Sequence, residues 1–126
     1  MIKEESNLGE ELNEEEYLVA FQIISTAGVA KSYAIEATEC AKQFKFEEAD
    51  ELLEKSMSKY NDCHRIQTEL LTQEARGITN KINIIMVHAQ DHLTMANMAY
   101  EHALSIINVY RMICEMGKEV KSIGKN

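Results

Sequence analysis

No proline interrupts the 126 residues of this chain, and glycine occurs only five times. Proline is the strongest helix breaker, because its ring clashes with the preceding turn and it has no amide N–H to donate. A chain of this length without it can run long helices uninterrupted. An all-β sandwich or barrel needs many turns rich in glycine and proline, so the composition argues against one. At 14.4 kDa the chain fits one domain.

The apolar spacing is helical. Between Glu14 and Lys42, Ala20, Ile23, Ala27, Ala30, Ala34, Ala37 and Ala41 recur at intervals of three and four, and Phe44 extends the row. This is a heptad seam whose small side chains allow a partner helix to come close. Asn13 followed by Glu16 reads as an N-cap with an acid at its third position. Gly28 costs about 1 kcal/mol relative to alanine inside a helix, and close packing is the expected reason for it. A second helix is expected from Phe46 to Ala75. Phe46, Ala49, Leu53, Met57, Tyr60, Cys63, Ile66 and Leu70 lie along one side, and acids fill the first turns where the helix dipole favours them. Lys45 stands where a capping side chain is expected, and Arg76-Gly77 reads as the stop. A third helix is expected from near residues 79–81 to about Met116. Its seam reads Ile82, Ile85, Ala89, His92, Ala96, Ala99, Ala103, Ile106, Tyr110 and Ile113. Short connections at 43–45 and 76–80 force neighbours to be antiparallel. The expected fold is all-α, an up-down-up three-helix bundle over residues 14–116. A flexible acidic arm at 1–13 precedes it, and a frayed tail at 117–126 follows.

Charge and cysteine usage narrow the function. The net charge is −8, and residues 1–16 hold seven glutamates and one lysine, leaving the rest near neutral. No basic stripe is present, which makes nucleic acid a poor partner. No run approaches 18 consecutive apolar residues and the N-terminus lacks a signal-peptide pattern, so membrane insertion is not expected and a cytoplasmic location is. Cys40, Cys63 and Cys114 are odd in number and widely spaced. They read as reduced, buried side chains, neither a disulfide framework nor a zinc site.

The third helix carries a second row beside its seam: Ile84, His88, Asp91, Met95, Met98, His102 and Val109. A helix in a lone bundle uses about one face. The extra face, with Met95 and Met98, implies self-association, for which closed cyclic symmetry is the usual form. In the same stretch His88, Asp91 and His92 share a face at spacings of three and four. Three readings compete there. One is a metal ion held by the group, although no second His/Glu-rich motif supplies further ligands. Another is a set of histidines hydrogen-bonded inside an interface. The third is a neutral imidazole acting as a nucleophile that carries a phosphoryl group. No phosphate-binding loop or kinase signature is present, so a nucleotide is not the direct donor and another protein would have to be.

Four blocks, FQIISTAGVAKSYAIEA (21–37), FEEADELLE (46–54), HRIQTELLTQEARG (64–77) and VHAQDHLTMA (87–96), resemble the lactose/cellobiose-type enzyme IIA of the bacterial sugar phosphotransferase system. The resemblance covers about residues 14–115. It implies a homotrimer of three-helix bundles, nine helices in all. It also implies a relay in which His88 accepts phosphate from phospho-HPr and passes it to a cysteine of enzyme IIB. Enzyme IIB then phosphorylates a β-linked disaccharide, such as cellobiose, chitobiose or lactose, during transport through membrane enzyme IIC. Asp91 falls on the family's acidic residue at the threefold axis, associated with one divalent ion, Mg²⁺, per trimer. Gln90 and His92 match the motif as supporting residues. His64 reads as structural. A non-catalytic trimeric scaffold and a metal-binding helical bundle are the alternatives.

Overall fold

The computed structural model describes residues 14–79 and 81–124. They form α1 (Glu14–Lys42), α2 (Phe46–Ala75) and α3 (Ile84–Ile123), with no strand among the described residues. The proposed cap at Asn13 and the arm at 1–13 lie outside the described residues.

α1 has the expected bounds, and all seven residues of its seam, from Ala20 to Ala41, are buried. This helix is the hub of the bundle: it packs extensively on both α2 and α3, which touch each other far less. Hydrogen bonds set the directions. The Ser56 hydroxyl donates to the Ala30 carbonyl at 2.7 Å, and the Cys63 thiol to the Ile23 carbonyl at 3.6 Å. Positions on α2 rise as those on α1 fall, so the two are antiparallel. One apolar cluster joins Ala20–Ala30 of α1 to Cys63 and to Ala89, Leu93 and Ala96. A second joins Ala34–Ala41 to Ala49, Leu53, Ala103 and Ile107. α3 therefore runs parallel to α1, giving the up-down-up bundle.

Ser56 was not in the expected α2 seam, yet it is completely buried. Its hydroxyl tolerates that position because it is hydrogen-bonded to backbone. Of the three cysteines only Cys63 is buried; Cys40 and Cys114 are half-buried, and all three are free. Burial pushes the Cys63 thiol up from its ordinary range. By length and composition α1 also passes for a membrane-crossing helix. α2 and α3 cover its alanine seam, while Leu18, Phe21, Val29 and Ile35 stay exposed.

Both connections close on the same device. After α1, the Phe44 N–H donates to the Ala41 carbonyl at 2.9 Å and the Lys45 N–H to the Cys40 carbonyl at 3.0 Å. After α2, the Gly77 N–H donates to Glu74 and the Ile78 N–H to Gln73, each at 3.0 Å. These paired bonds satisfy the last carbonyls of a helix and need one residue in the left-handed region. Gly77 takes it with φ +85°, and Phe44 takes it with φ +58°. Phe44 therefore does not continue the α1 seam; it leaves the helix and stands 51% exposed. Lys45 begins α2 without a side-chain cap.

α3 departs most from expectation. It starts at Ile84, three to five residues late, because the Asn83 side chain accepts the Met86 N–H at 2.9 Å and caps it there. Ile82 lies before the helix and is 85% exposed, outside any seam. The buried stripe passes through Ala89, Leu93, Ala96, Ala103 and Ile107. His92 and Ile106 each give way to the next residue, because the stripe steps by four at those points and an aliphatic side chain gains more from burial than an imidazole. Gly117 does not stop the helix, which continues to Ile123, so residues 117–123 are helical rather than a frayed tail. A methyl added at Gly28 meets nothing within 4 Å, so packing within one chain does not account for that glycine.

At Gly77 the surrounding space is also open, but the backbone is left-handed. Gly77→Ala should therefore cost about 1 kcal/mol through backbone strain alone. Urea denaturation followed by circular dichroism measures it, and an unchanged midpoint would contradict the strain argument.

Candidate functional site

The parallel course of α1 and α3 puts the first turns of α3 at the end of the bundle where α1 begins and α2 finishes. Ala89 and Leu93 are the residues that anchor this part of α3 in the core. Fixing those two on the inside turns their neighbours His88, Asp91 and His92 to the opposite edge. His88 and Asp91 are exposed and His92 is half-buried.

His88 and His92 sit one turn apart with their Nε2 atoms 3.0 Å from each other. Their ring centroids are 4.5 Å apart and the rings stand nearly perpendicular, at 89°. At that separation one nitrogen carries a proton and donates while the other accepts through its lone pair. The pair therefore fixes the orientation of the His88 ring and couples the tautomers of the two rings. The spacing of four residues foreshadowed the contact; the 3.0 Å approach of the two Nε2 atoms is a finding of the geometry.

Gln90 points elsewhere. Its Oε1 accepts from Gln67 Nε2 of α2 at 2.7 Å, and its own Nε2 lies 3.5 Å from the Met86 sulfur. It ties α3 to α2 where those helices otherwise touch little, and it is directed to α2 rather than to His88. Gln67 escaped sequence reasoning, since a half-buried glutamine on a helix carries no motif. Beside Gln90, the residues Leu70, Leu71, Ile82, Met86 and Val87 line a mainly apolar groove of about 340 Å³ between α2 and the start of α3. His88 is not among the residues that line this groove, which opens on the α2 side of α3.

Asp91 makes no hydrogen bond or ion pair among the described residues, and no group of three or more His, Cys, Asp or Glu there is placed to share an ion. His64 is stacked on Tyr60 with centroids 5.6 Å apart. His102 lies further along α3 in a groove with Ile35, Thr38 and Ile106. His88 and His92 are therefore brought together, and Gln90 and the other two histidines are not part of that contact.

Comparison with known proteins gives a consistent result. Residues 18–111 match the family described as "PTS system, Lactose/Cellobiose specific IIA subunit". A lichenan-specific phosphotransferase enzyme IIA component of Bacillus subtilis is 39% identical over 104 residues, 82% of this chain and 94% of the relative. The crystal structure of the cellobiose-specific enzyme IIA of Bacillus anthracis superposes with a TM-score of 0.78 at 38% identity, covering 83% of this chain and 96% of that one. A chitobiose IIA from Escherichia coli, solved in solution in complex with HPr, gives a TM-score of 0.70 at 31% identity, covering 79% and 97%.

If the two rings share a proton, removing one must disturb the other. His92→Ala should shift the tautomer balance of His88 in imidazole ¹⁵N spectra while helicity stays unchanged. Identical His88 resonances in both proteins would show that the pair is not coupled.

Proposed function

This chain belongs to the lactose/cellobiose-specific IIA family of the sugar phosphotransferase system, and from that premise we propose that His88 is the residue through which it relays phosphate. The chain is a phosphoryl carrier for sugar uptake. The observation that carries the assignment to His88 is its geometry: an exposed imidazole whose Nε2 lies 3.0 Å from that of His92, one turn on.

The donor is phospho-HPr, a reading supported by the chitobiose IIA solved with HPr. The lone pair of a neutral His88 ring nitrogen attacks phosphorus in line. A new P–N bond forms as the P–N bond to the HPr histidine breaks, and that bonding pair returns to the departing imidazole. Each ring keeps the proton on its other nitrogen, so no net proton transfer is required. One phosphoimidazole replaces another, which keeps the step nearly isoenergetic. Such a transfer asks for positioning and charge stabilisation more than covalent help. His92 is the positioning residue, holding the ring before attack. Gln90 acts one step removed, keeping α3 seated on α2. The phosphoryl group then passes to a cysteine of enzyme IIB, on the cytoplasmic side of the membrane, for transfer to a β-linked sugar entering through enzyme IIC.

The working form is a homotrimer assembled through the exposed row of α3. Met95 and Met98 on that row are 39% and 48% exposed, and a lone bundle leaves them against water. Three Asp91 carboxylates would converge at the axis of such an assembly. Like charges that close repel, and a bound cation relieves the repulsion. Mg²⁺ takes oxygen ligands at octahedral positions, and one ion per trimer fits a set that a single chain does not supply. It would hold the subunits together and takes no part in the transfer. The metal-bundle alternative, with one ion per chain on His88, Asp91 and His92, finds no such cluster among the described residues.

His88→Ala should abolish phosphate acceptance from phospho-HPr while the helical content is retained, as intact-mass analysis after incubation with enzyme I, HPr and phosphoenolpyruvate will show. Acceptance at the normal rate would move the site to His64, His92 or His102, and a wild-type chain that takes up no phosphate would favour the scaffold reading. For Asp91, divalent ions should raise the melting temperature of the wild type, whereas Asp91→Asn should melt at one temperature with or without chelator. Wild-type melts that do not respond to chelator would remove Asp91 from a metal role.

A further inference from the structure

We propose that residues 1–13, the acidic segment ahead of α1, cross the end of their own bundle and seat Leu8 and Leu12 in the trough between α1, α2 and the start of α3. The segment lies outside the matched family region, which begins at residue 18. The contact stands or falls independently of the phosphate relay.

The mainly apolar groove beside Gln90 does not end at α2. It joins a second groove of about 370 Å³, because Leu70, Lys81 and Met86 line both. The second groove is bounded on its other side by Glu15, Glu16 and Val19, in the first turns of α1. Together they make one trough that starts where residue 13 hands the chain to α1 and runs past the end of α2 to α3. Its far half is apolar and open to water: Leu71, Ile82 and Val87 are 59%, 85% and 48% exposed. Apolar side chains gathered in a groove mark a contact surface, whereas scattered ones do not.

The segment fits this trough in sequence, reach and charge. MIKEESNLGEELN places Leu8 and Leu12 four residues apart, with Glu10 and Glu11 between them. Leu8 is six residues before Glu14, up to roughly 20 Å of extended chain. Packed helix axes lie about 8–10 Å apart, so Leu8 reaches the far half while Leu12 covers the near half. The near half carries Glu15, Glu16 and Glu69. Those acids repel glutamates, so the leucines face inward there and Glu10 and Glu11 face out. Further on the field changes sign. Lys81 lies at the junction of the two grooves, and the first turn of α3 holds no acidic residue, leaving the positive end of its dipole for Glu4 and Glu5. A tether this short also holds the leucines at a local concentration of roughly millimolar, which favours this occupant over any free one of equal fit.

Cross-linking in the full-length chain tests the placement. In a Cys40→Ser/Cys114→Ser background, Leu8→Cys is combined with Leu71→Cys, in the groove, or with Thr72→Cys, on the next residue, which is exposed and does not line it. The 8–71 pair should close a disulfide within one chain about tenfold faster than the 8–72 pair, the ratio that a preference of roughly 1.4 kcal/mol gives. Equal rates overturn the inference, and so does a product that links two chains, which would seat the segment on a neighbouring copy. Alkylation tells the segment from a protein partner. With residues 1–13 unaltered, the thiol of the Leu71→Cys variant should react about tenfold more slowly than when Leu8→Ser and Leu12→Ser are added. Equal reaction in the two overturns the proposal, and protection that appears only when phospho-HPr is present then assigns the groove to that partner.

Discussion

The fold depends on how closely α1 can be approached. Among the described residues ten of the fifteen buried apolar side chains are alanines, and six of those ten lie on α1. A methyl group holds backbones close, so α2 and α3 settle against α1 and the gain comes from dense dispersion contact more than from large buried area. Close approach has a consequence for everything larger. Leucines, isoleucines and methionines that such a seam has no room for are displaced to the flanks. α3, apolar over much of its circumference, carries most of them on its outer row.

That arrangement decides where chemistry can occur. With Ala89 and Leu93 pinned in the core, His88 and His92 take the edge of the same helix, one turn apart. Their contact is built on a long rigid helix and needs no loop to order itself. For the relay proposed at His88, which must meet two partners in turn, an open edge suits better than an enclosed pocket. The Gln67–Gln90 bond supports the same region from behind, where α2 and α3 otherwise touch little.

One helix thus carries the histidine pair and a largely exposed apolar row on adjoining faces. The row that presents His88 and Asp91 runs on through Met95, Met98 and Val109 to Ile123. Assembly along it would bring copies of the site close to one another, tying the surroundings of each His88 to its neighbours. The long α3, extending well past the turn at Phe44, is the part of this chain that sets it apart from a minimal three-helix bundle.

Periodicity alone revealed three helices, the bounds of the first two and the whole buried seam of α1, because in that helix the apolar residues are small and their spacing is unambiguous. The resemblance of four sequence blocks pointed to the family and to His88. The stripe of α3 was harder to read: with apolar residues on two adjoining rows, spacing does not say which row turns inward, and His92 and Ile106 were placed in the core where Leu93 and Ile107 belong. Only the packed bundle settles that, through the contacts of α1 with each candidate row. The start at Asn83, the passage of α3 through Gly117 and the left-handed Phe44 were decided by local hydrogen bonding and helix continuation that outweighed the usual stop signals. Ser56 and Gln67 gave no signal in the sequence, since a polar residue on a helix reads as solvated until its partner on another helix is known. The proximity of His88 to His92 was legible from their spacing of four residues. That their nitrogens meet at 3.0 Å depends on ring orientations that only the three-dimensional arrangement of the side chains determines.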